Sequence, residues 1–212
     1  MDQIFDFLFS QYSSYSPSFI FLELFAVIMN ITSVVYAKRN NILVYPTGLI
    51  GTGISVYILL NFTLLGDTII NAYFFSMSIY GWYFWSRKKD EIFINQVSNI
   101  NRNEIKYLLI LAISSLIFIY FVYDYFDKWN NWTAYLDNIT TAIFFVAMWL
   151  MARRKIESWI FWIIGDLITV PLYFYKGLTI SSIQYIIFLI LAVLGYISWK
   201  KILNKNYQKL KK

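Results

Sequence analysis

One acidic residue stands in the middle of an otherwise oily run, ESWIFWIIGDLITVPLYFY, residues 157–175. At about 100° per residue on a helix, Trp159, Trp162, Asp166, Thr169 and Tyr173 fall within an arc of roughly 80°. Ile160, Phe161, Ile164, Leu167, Ile168 and Leu172 fill the remainder. One stripe is therefore aromatic and polar, and the rest suits lipid or helix packing. An ionised carboxylate deep in a bilayer costs at least ~2.5 kcal/mol, so it must face a cavity or a partner. Indole rings beside it supply flat walls whose negative faces attract cations. Together they describe a slot for a flat, positively charged ring. The plainer alternatives are that Trp159 anchors the helix at the membrane interface, and that hydroxyls or amides of neighbouring helices satisfy Asp166. Pro171 removes a backbone donor and crowds the carbonyl of Leu167, which makes the outer third of the helix a place for a kink.

The elements that must position this stripe follow from composition. Of 212 residues, 59% are hydrophobic and 14% charged, the balance of a membrane protein. Crossing the ~30 Å hydrocarbon layer takes roughly 20 apolar residues in a helix. Seven such runs occur, near 17–37, 42–63, 67–86, 105–123, 134–151, 157–175 and 179–199. Lipid offers the backbone no hydrogen-bond partners, and the runs are too uniformly apolar for barrel strands, so the expected fold is all-α. Asp2 and Asp6 stand where a secretory signal carries positive charge, so no cleaved signal is expected. With neither cysteine nor histidine, the chain lacks a thiol nucleophile and the commonest metal ligand and general base. These absences argue against an enzyme, and no cofactor or metal is expected.

Sixteen of the eighteen Lys and Arg residues fall on one side of the seven runs: Lys38, Arg39, the clusters at 87–89 and 153–155, Arg102, Lys106 and the tail lysines from 200 onward. Only Lys128 and Lys176 fall on the other. By the positive-inside rule the N-terminus lies outside and the C-terminus in the cytoplasm. The net charge of +6 then orients helices and meets anionic lipid heads, and no nucleic-acid partner is needed to explain it.

Sliding the chain against itself by 114 residues pairs Glu23 with Asp137, Arg39 with Arg153, Tyr45 with Trp159, Gly51 with Gly165, Gly81 with Gly195 and Trp85 with Trp199. Acid, basic, aromatic and glycine positions recur in order across three consecutive runs. This predicts a 3+1+3 plan: a three-helix repeat over 17–86, a linker helix at 105–123, a second, parallel repeat over 134–200, and a basic cytoplasmic tail at 201–212. Transporters built from parallel repeats hold substrate at the repeat interface near mid-membrane.

At this point the residues resemble a known family. W-x-x-W-x-x-x-D at Trp159, Trp162 and Asp166 resembles the W-x-x-W-x-x-x-N/D signature of the PnuC family of bacterial vitamin transporters. GDTIINAYFFSMSIYGWYFW at 66–85 and LDNITTAIFFVAMWLMARRKIESW at 136–159 are similar to that family's flanking patterns. The resemblance implies a SWEET-like fold, a homotrimer in the bacterial inner membrane, and facilitated diffusion of nicotinamide riboside followed by trapping through a cytoplasmic kinase. No G-x-x-x-x-G-K-[ST] loop for ATP is present, consistent with that. Relatives in the family handle thiamine, riboflavin or deoxynucleosides. A carboxylate with indoles suits the pyridinium of nicotinamide riboside first and the thiazolium of thiamine second; riboflavin and ordinary deoxynucleosides are neutral and fit less well.

Further lining candidates are Asn71, at a position that is often an amide in the family pattern, and Gln184, one residue from its repeat equivalent. Glu23 and Asp137 are gate candidates near the outer ends of the first and fifth runs, with hydroxyls at Thr140 and Thr141 as an alternative use of Asp137. Asp67 reads as the N-cap of the third helix, and Gly48, Gly51 and Gly53 as points of close approach or bending. Tyr80, Trp82, Trp85 and Trp199 read as an interface belt. A retinal photoreceptor would need a lysine inside 179–199, and none is there. An intramembrane enzyme would use Asp166 as acid or base but lacks a second convergent group. A SWEET-type sugar carrier predicts neutral hexose binding and indifference to charge at position 166.

Overall fold

Among the described residues, six helices are long and apolar enough to cross a membrane, and they account for most of the architecture. The computed structural model describes residues 16–61, 65–89, 92–93, 95–129, 131–176 and 179–210. Asp2, Asp6, Lys211 and Lys212 lie outside the described residues. In chain order the helices are α1 (Pro17–Lys38), α2 (Val44–Asn61), α3 (Leu65–Ser86), α4 (Arg102–Tyr125), α5 (Thr133–Ala152), α6 (Ser158–Tyr175) and α7 (Thr179–Leu210). The helix outside the six is α3, which has 22 residues but carries Asp67, Asn71, Ser76 and Ser78 along its length. Between α3 and α4 lies a short antiparallel pair, β1 (Lys88–Lys89) with β2 (Ile92–Phe93). The apolar runs set the spans, and local chemistry sets the starts. Ser16 caps α1 by accepting from the Phe19 N–H, with Pro17 at the first helical position. Asn101 and Glu104 form a reciprocal capping box on α4.

The packed neighbours form a closed cycle: α1 on α2, α2 on α3, α3 on α5, α5 on α6, α6 on α7 and α7 back on α1. Helix α4 packs on α5 and turns a long apolar face outward, including Ile110, Ile113, Ile117 and Phe121. In a bilayer that face meets lipid. The buried aromatic cluster sits at the basic end of the cycle, around Tyr45, Trp85, Trp159 and Trp199.

Positions 114 residues apart share local geometry. Asn40, after α1, and Arg154, after α5, have left-handed φ angles of 52° and 56°. The Asn40 and Arg154 N–H groups each donate over 2.9 Å, to the Ala37 and Met151 carbonyls. Asn41 N–H donates to Tyr36 O at 3.0 Å, and Lys155 N–H to Leu150 O at 2.9 Å, so both helices end in the same hydrogen-bonded turn. The packing above the turns matches too. A Cβ on Gly81 would meet the Tyr45 ring and one on Gly195 the Trp159 ring, while Gly51 faces Asn30 and Gly165 faces Phe144. Tyr45 meets Trp85 edge-on at 5.1 Å, and Trp159 meets Trp199 edge-on at 5.5 Å.

Two local expectations change. Trp85 and Trp199 are not belt residues: both are 0% exposed. Their indole N–H groups donate to the Ala152 and Ala37 carbonyls at 3.1 and 2.9 Å, so each satisfies a helix-end carbonyl that would otherwise lack a partner. Asp67 is not a cap, because α3 starts at Leu65; it lies in the first turn, where a negative charge still complements the helix dipole. Helix α6 runs through Pro171 to Tyr175.

At the basic end, the segment after β2 straps the α5–α6 turn. Ser98 N–H donates to Arg154 O at 3.1 Å, Ile156 N–H to Ser98 O at 3.1 Å, and Ile100 N–H to a Glu157 carboxylate oxygen at 3.0 Å. Glu104 pairs with Arg153 at 3.1 Å and Lys155 at 2.7 Å. The Arg154 guanidinium lies 4.1 Å over the Trp85 ring and donates to the Asn95 carbonyl. Glu104, Arg154 and Lys155 are buried with their charges compensated, while Arg153 is part-exposed.

The glycine opposite Trp159 gives a direct test. A Cβ at 195 would lie 2.6 Å from the indole. Gly195→Val should therefore destabilise the protein by about 1–3 kcal/mol, seen as a lower melting temperature in detergent; an unchanged melt would show that the close approach does not matter.

Candidate substrate-binding site

All six helices of the cycle line a cavity of about 430 Å³, within the ~300–1,000 Å³ range of small-molecule sites. Its two sides differ in chemistry. Helices α5, α6 and α7 contribute Phe144, Trp159, Trp162, Asp166, Gln184 and Tyr185, whereas α1, α2 and α3 contribute Glu23, Asn30, Ser33, Thr52, Ser55 and Asn71. The α5–α7 side carries stacked rings with one carboxyl group, Asp166, and the Gln184 amide; the α1–α3 side carries amides and hydroxyls with the second carboxyl group, Glu23. No Lys or Arg lines the cavity among the described residues.

The aromatic wall is built by stacking. Trp162 lies 5.3 Å from Phe144 at 28°, Phe144 lies 5.9 Å from Tyr185 at 13°, and Phe74 approaches Trp162 from α3 at 6.4 Å. Gly165 makes this possible, since a Cβ there would enter the Phe144 ring. Trp162 is half-buried and lines the cavity; Trp159 is 1% exposed and held by Trp199. Asp166 borders the cavity yet is 1% exposed, and neither carboxylate oxygen has a hydrogen-bond partner among the described residues. Thr169 Oγ1, one turn on, and the Trp159 indole N–H are likewise without partners.

Of the residues singled out in the sequence, Trp159, Trp162, Asp166, Asn71, Gln184 and Glu23 meet at this cavity. Three stand apart from its lining. Thr169 is buried beside it. Tyr173 packs edge-on against Tyr185 at 5.1 Å, one ring behind the wall. Asp137 is ion-paired with Lys176, whose ammonium also lies 5.7 Å over Tyr173, so it is tied at the end of α6 and does not face the cavity. Asn71 also donates to the Asp67 carbonyl at 3.0 Å, leaving its side-chain oxygen for the cavity. Sequence reasoning missed Asn30, Thr52, Ser55, Phe144 and Tyr185. The shift of 114 residues was a usable signal for several of them: it places Thr52 on Asp166, Ser55 on Thr169, Asn30 on Phe144 and Asn71 on Tyr185.

Residues 20–201 match the family model for nicotinamide mononucleotide transporters. The chain belongs to this family. The nicotinamide mononucleotide transporter fold is also visible in a solved relative: the crystal structure of the vitamin B3 transporter PnuC superposes with a TM-score of 0.66 at 22% identity, covering 87% of this chain and 83% of that one. The nicotinamide riboside transporter PnuC of Escherichia coli (strain K12) is 24% identical over 208 residues, covering 84% of each chain. The PnuC of Neisseria mucosa is 23% identical over 193 residues, covering 85% of this chain and 72% of its own. The riboflavin/roseoflavin transporter RibM of Streptomyces davaonensis is 26% identical over 141 residues, 64% of each. This chain is thus a multi-pass membrane protein of a transporter family.

The geometry separates the tryptophans by role. Ligand binding should change the intrinsic fluorescence through Trp162, so Trp162→Phe should remove most of the response while Trp82→Phe, on an exposed position of α3, keeps it. A response that survives Trp162→Phe in full would move the ligand elsewhere.

Proposed function

We propose that the chain carries a vitamin with a cationic ring across the bacterial inner membrane, nicotinamide riboside first and thiamine second. The observation that carries this reading is the cavity's charge: two carboxyl groups, Asp166 and Glu23, and no basic side chain among the described lining residues. Trp162, stacked in a row with Phe144 and Tyr185, offers a flat face to a pyridinium or thiazolium ring. Gln184, Asn71, Thr52 and Ser55 offer donors and acceptors to a carboxamide or to ribose hydroxyls. Thr169 and Tyr173 support the wall from behind, Asp166 and Trp159 being on the same helix. Glu23 and the Asp137–Lys176 pair are gate candidates. The relatives named for nicotinamide riboside favour that substrate, and the one named for riboflavin keeps a neutral flavin as a third reading, behind thiamine.

In this reading the chain is not an enzyme and holds no cofactor. It lets substrate run downhill without ATP, and a cytoplasmic kinase traps the product. It works as a homotrimer with the N-terminus outside and the C-terminus inside, seven spans in a 3+1+3 plan of parallel repeats. The matched turns at Asn40 and Arg154, the paired glycine contacts and the neighbour cycle support the repeat. The Lys and Arg asymmetry supports the orientation.

Titrating purified protein with nicotinamide riboside, thiamine and glucose while following heat or fluorescence should give binding of a cationic vitamin and none of glucose; binding of glucose alone would support a SWEET-type carrier instead. Asp166→Ala should lower uptake of the cation at least tenfold (about 1.4 kcal/mol) with folded protein still in the membrane. Unchanged uptake would return Asp166 to a structural role.

A further inference from the structure

A molecule leaving the cavity toward the basic end has to pass the aromatic floor, and the two halves of that floor are held in very different ways. Ala37, Val44, Tyr45, Met151, Trp159 and Ala192 line the cavity and also belong to the buried cluster, each 7% exposed or less. The α5–α6 half is bolted down. Besides the Ser98, Ile100 and Glu104 bonds of the strap, Lys155 Nζ donates to the Asn99 carbonyl at 3.2 Å. Asn95 Nδ2 donates to the Phe84 carbonyl at 2.6 Å, which ties the strap to the end of α3 as well. Helix α3 is also joined to α5 at two depths. Trp85 donates to Ala152 O at the basic end, and further out Tyr73 donates to Phe145 O at 2.9 Å and stacks on the Phe145 ring at 3.8 Å. The α1–α2 half is held mainly by itself. Ser33 Oγ donates to Val44 O at 2.7 Å, and a Cβ on Gly51 would enter the Asn30 side chain. Toward α3 this pair presents Gly48 to Ser78 and Gly53 to Phe75, and the Ser78 hydroxyl donates within its own helix, to Phe74 O. From Ala26 to Asn61, among the described residues, one hydrogen bond leaves the pair: that from the Trp199 indole to Ala37 O, at 2.9 Å.

Resting on the carrier reading above and going beyond it, we infer that the α1–α2 pair is the moving leaf of the floor, that α3 to α7 form a fixed frame, and that the Trp199 indole is the latch between them. With the leaf closed, Ala37, Val44 and Tyr45 lie in one cluster with Trp85, Trp159 and Trp199, and the cavity ends on rings. To open, the leaf swings away from α7 and slides along its glycine contacts with α3. The Trp199 N–H and the Ala37 carbonyl part and each meets water, so opening exchanges one hydrogen bond and wets part of the aromatic cluster. Parting the α5–α6 turn from the frame instead would break the strap, the Glu104 ion pairs and the Trp85 bond together. Trp85 and Trp199 stand 114 residues apart at equivalent positions, so the repeat alone would have both halves move alike. Their partners make the difference: Trp85 holds a strapped turn, Trp199 a free-standing one. The motion also serves release. Trp162, Asp166 and the stacked wall stay on the frame, while the leaf carries Asn30, Ser33, Thr52 and Ser55 away from them, so opening separates the two sides of the site.

The chain has no cysteine, so single introduced thiols report on the floor directly. Position 148 lines the cavity from α5, on the frame, and carries the reporter Met148→Cys. In membrane vesicles, a charged, membrane-impermeant thiol reagent supplied at the basic face should label it slowly. Trp199→Phe, which keeps a ring and loses the N–H, should raise that rate severalfold to about tenfold, the range one hydrogen bond is worth. Trp85→Phe should leave the rate near that of the parent, because the strap still holds α3 and the α5–α6 turn. Val44→Ala on the leaf and Ile156→Ala on the strapped turn repeat the comparison with smaller changes, so the result does not depend on either tryptophan variant folding. Spin labels on exposed positions add the direction: in Trp199→Phe, a label at Arg39→Cys should draw away from one at Arg102→Cys, while Ser86→Cys keeps its distance from Arg102→Cys. Equal rises in the two tryptophan variants would mean that the halves rock alike, and overturn the inference. So would an unchanged rate in both Trp199→Phe and Val44→Ala. The labelling needs no substrate, so these results stand apart from the cation reading, which fails when neither nicotinamide riboside nor thiamine binds.

Discussion

A carboxyl group halfway along a membrane helix has to look inward, and most of this molecule can be understood as the arrangement that lets Asp166 do so. Lipid cannot solvate it, and a lone helix cannot hide it. The closed cycle of six helices gives it an interior. That interior is a cavity and not a packed core, because the residues opposite Asp166 are small or polar: Thr52 and Ser55 on α2, Asn30 and Ser33 on α1. Gly81 of α3 and Gly195 of α7 let the Tyr45 and Trp159 rings pack against their backbones at the basic end, where these rings join Trp85 and Trp199 in the floor. A chamber lined with polar groups above an aromatic floor is the shape such a site requires.

The two halves of the chain use the same local devices for different ends. Both the α1–α2 and α5–α6 turns close through a left-handed residue and the same pair of hydrogen bonds. Yet the first three helices line the cavity with hydroxyls, amides and the Glu23 carboxyl group, and the last three with stacked rings and the Asp166 carboxyl group. The turns differ in support as well. The α5–α6 turn is strapped by residues 95–101 and the Glu104 ion pairs, whereas the described contacts of the α1–α2 turn are within its own helices and with Trp199. A chain that has to bind a molecule with a charged ring at one end and hydroxyls at the other is well served by that asymmetry.

Much of this was legible beforehand, for physical reasons. Long apolar runs mark helices whatever their surroundings, so the limits 17–37, 134–151 and 157–175 lie within two residues of α1, α5 and α6. A charge in such a run is costly enough that its direction follows, and the helical angle brought Trp162 with it. What failed were distinctions that composition cannot make. Trp85 and Trp199 sit near a helix end and carry the amphipathic ring that suits a headgroup layer; only the carbonyls of Ala152 and Ala37, far away in sequence, make them core residues. In a membrane protein both lipid and core are apolar, so periodicity does not tell an outward aromatic from an inward one. Tyr173 shares the Asp166 face by angle but ends behind Tyr185, because a neighbouring helix fills the space. Asp137, expected as a gate candidate, is paired with Lys176, thirty-nine residues on, a pairing no local pattern reveals. The buried role of Glu104 was hidden for the same reason: its partners, Arg153 and Lys155, come from another helix end.

The account stands or falls on where a bound cation lies. A structure of the protein with nicotinamide riboside, or with thiamine, should show the charged ring lying flat on Trp162, with the Asp166 carboxylate as its nearest anion and the Asn30–Ser33–Thr52 side of the cavity facing the rest of the ligand. A ligand held away from α6, or an Asp166 side chain turned to lipid while the cation is bound, would contradict it.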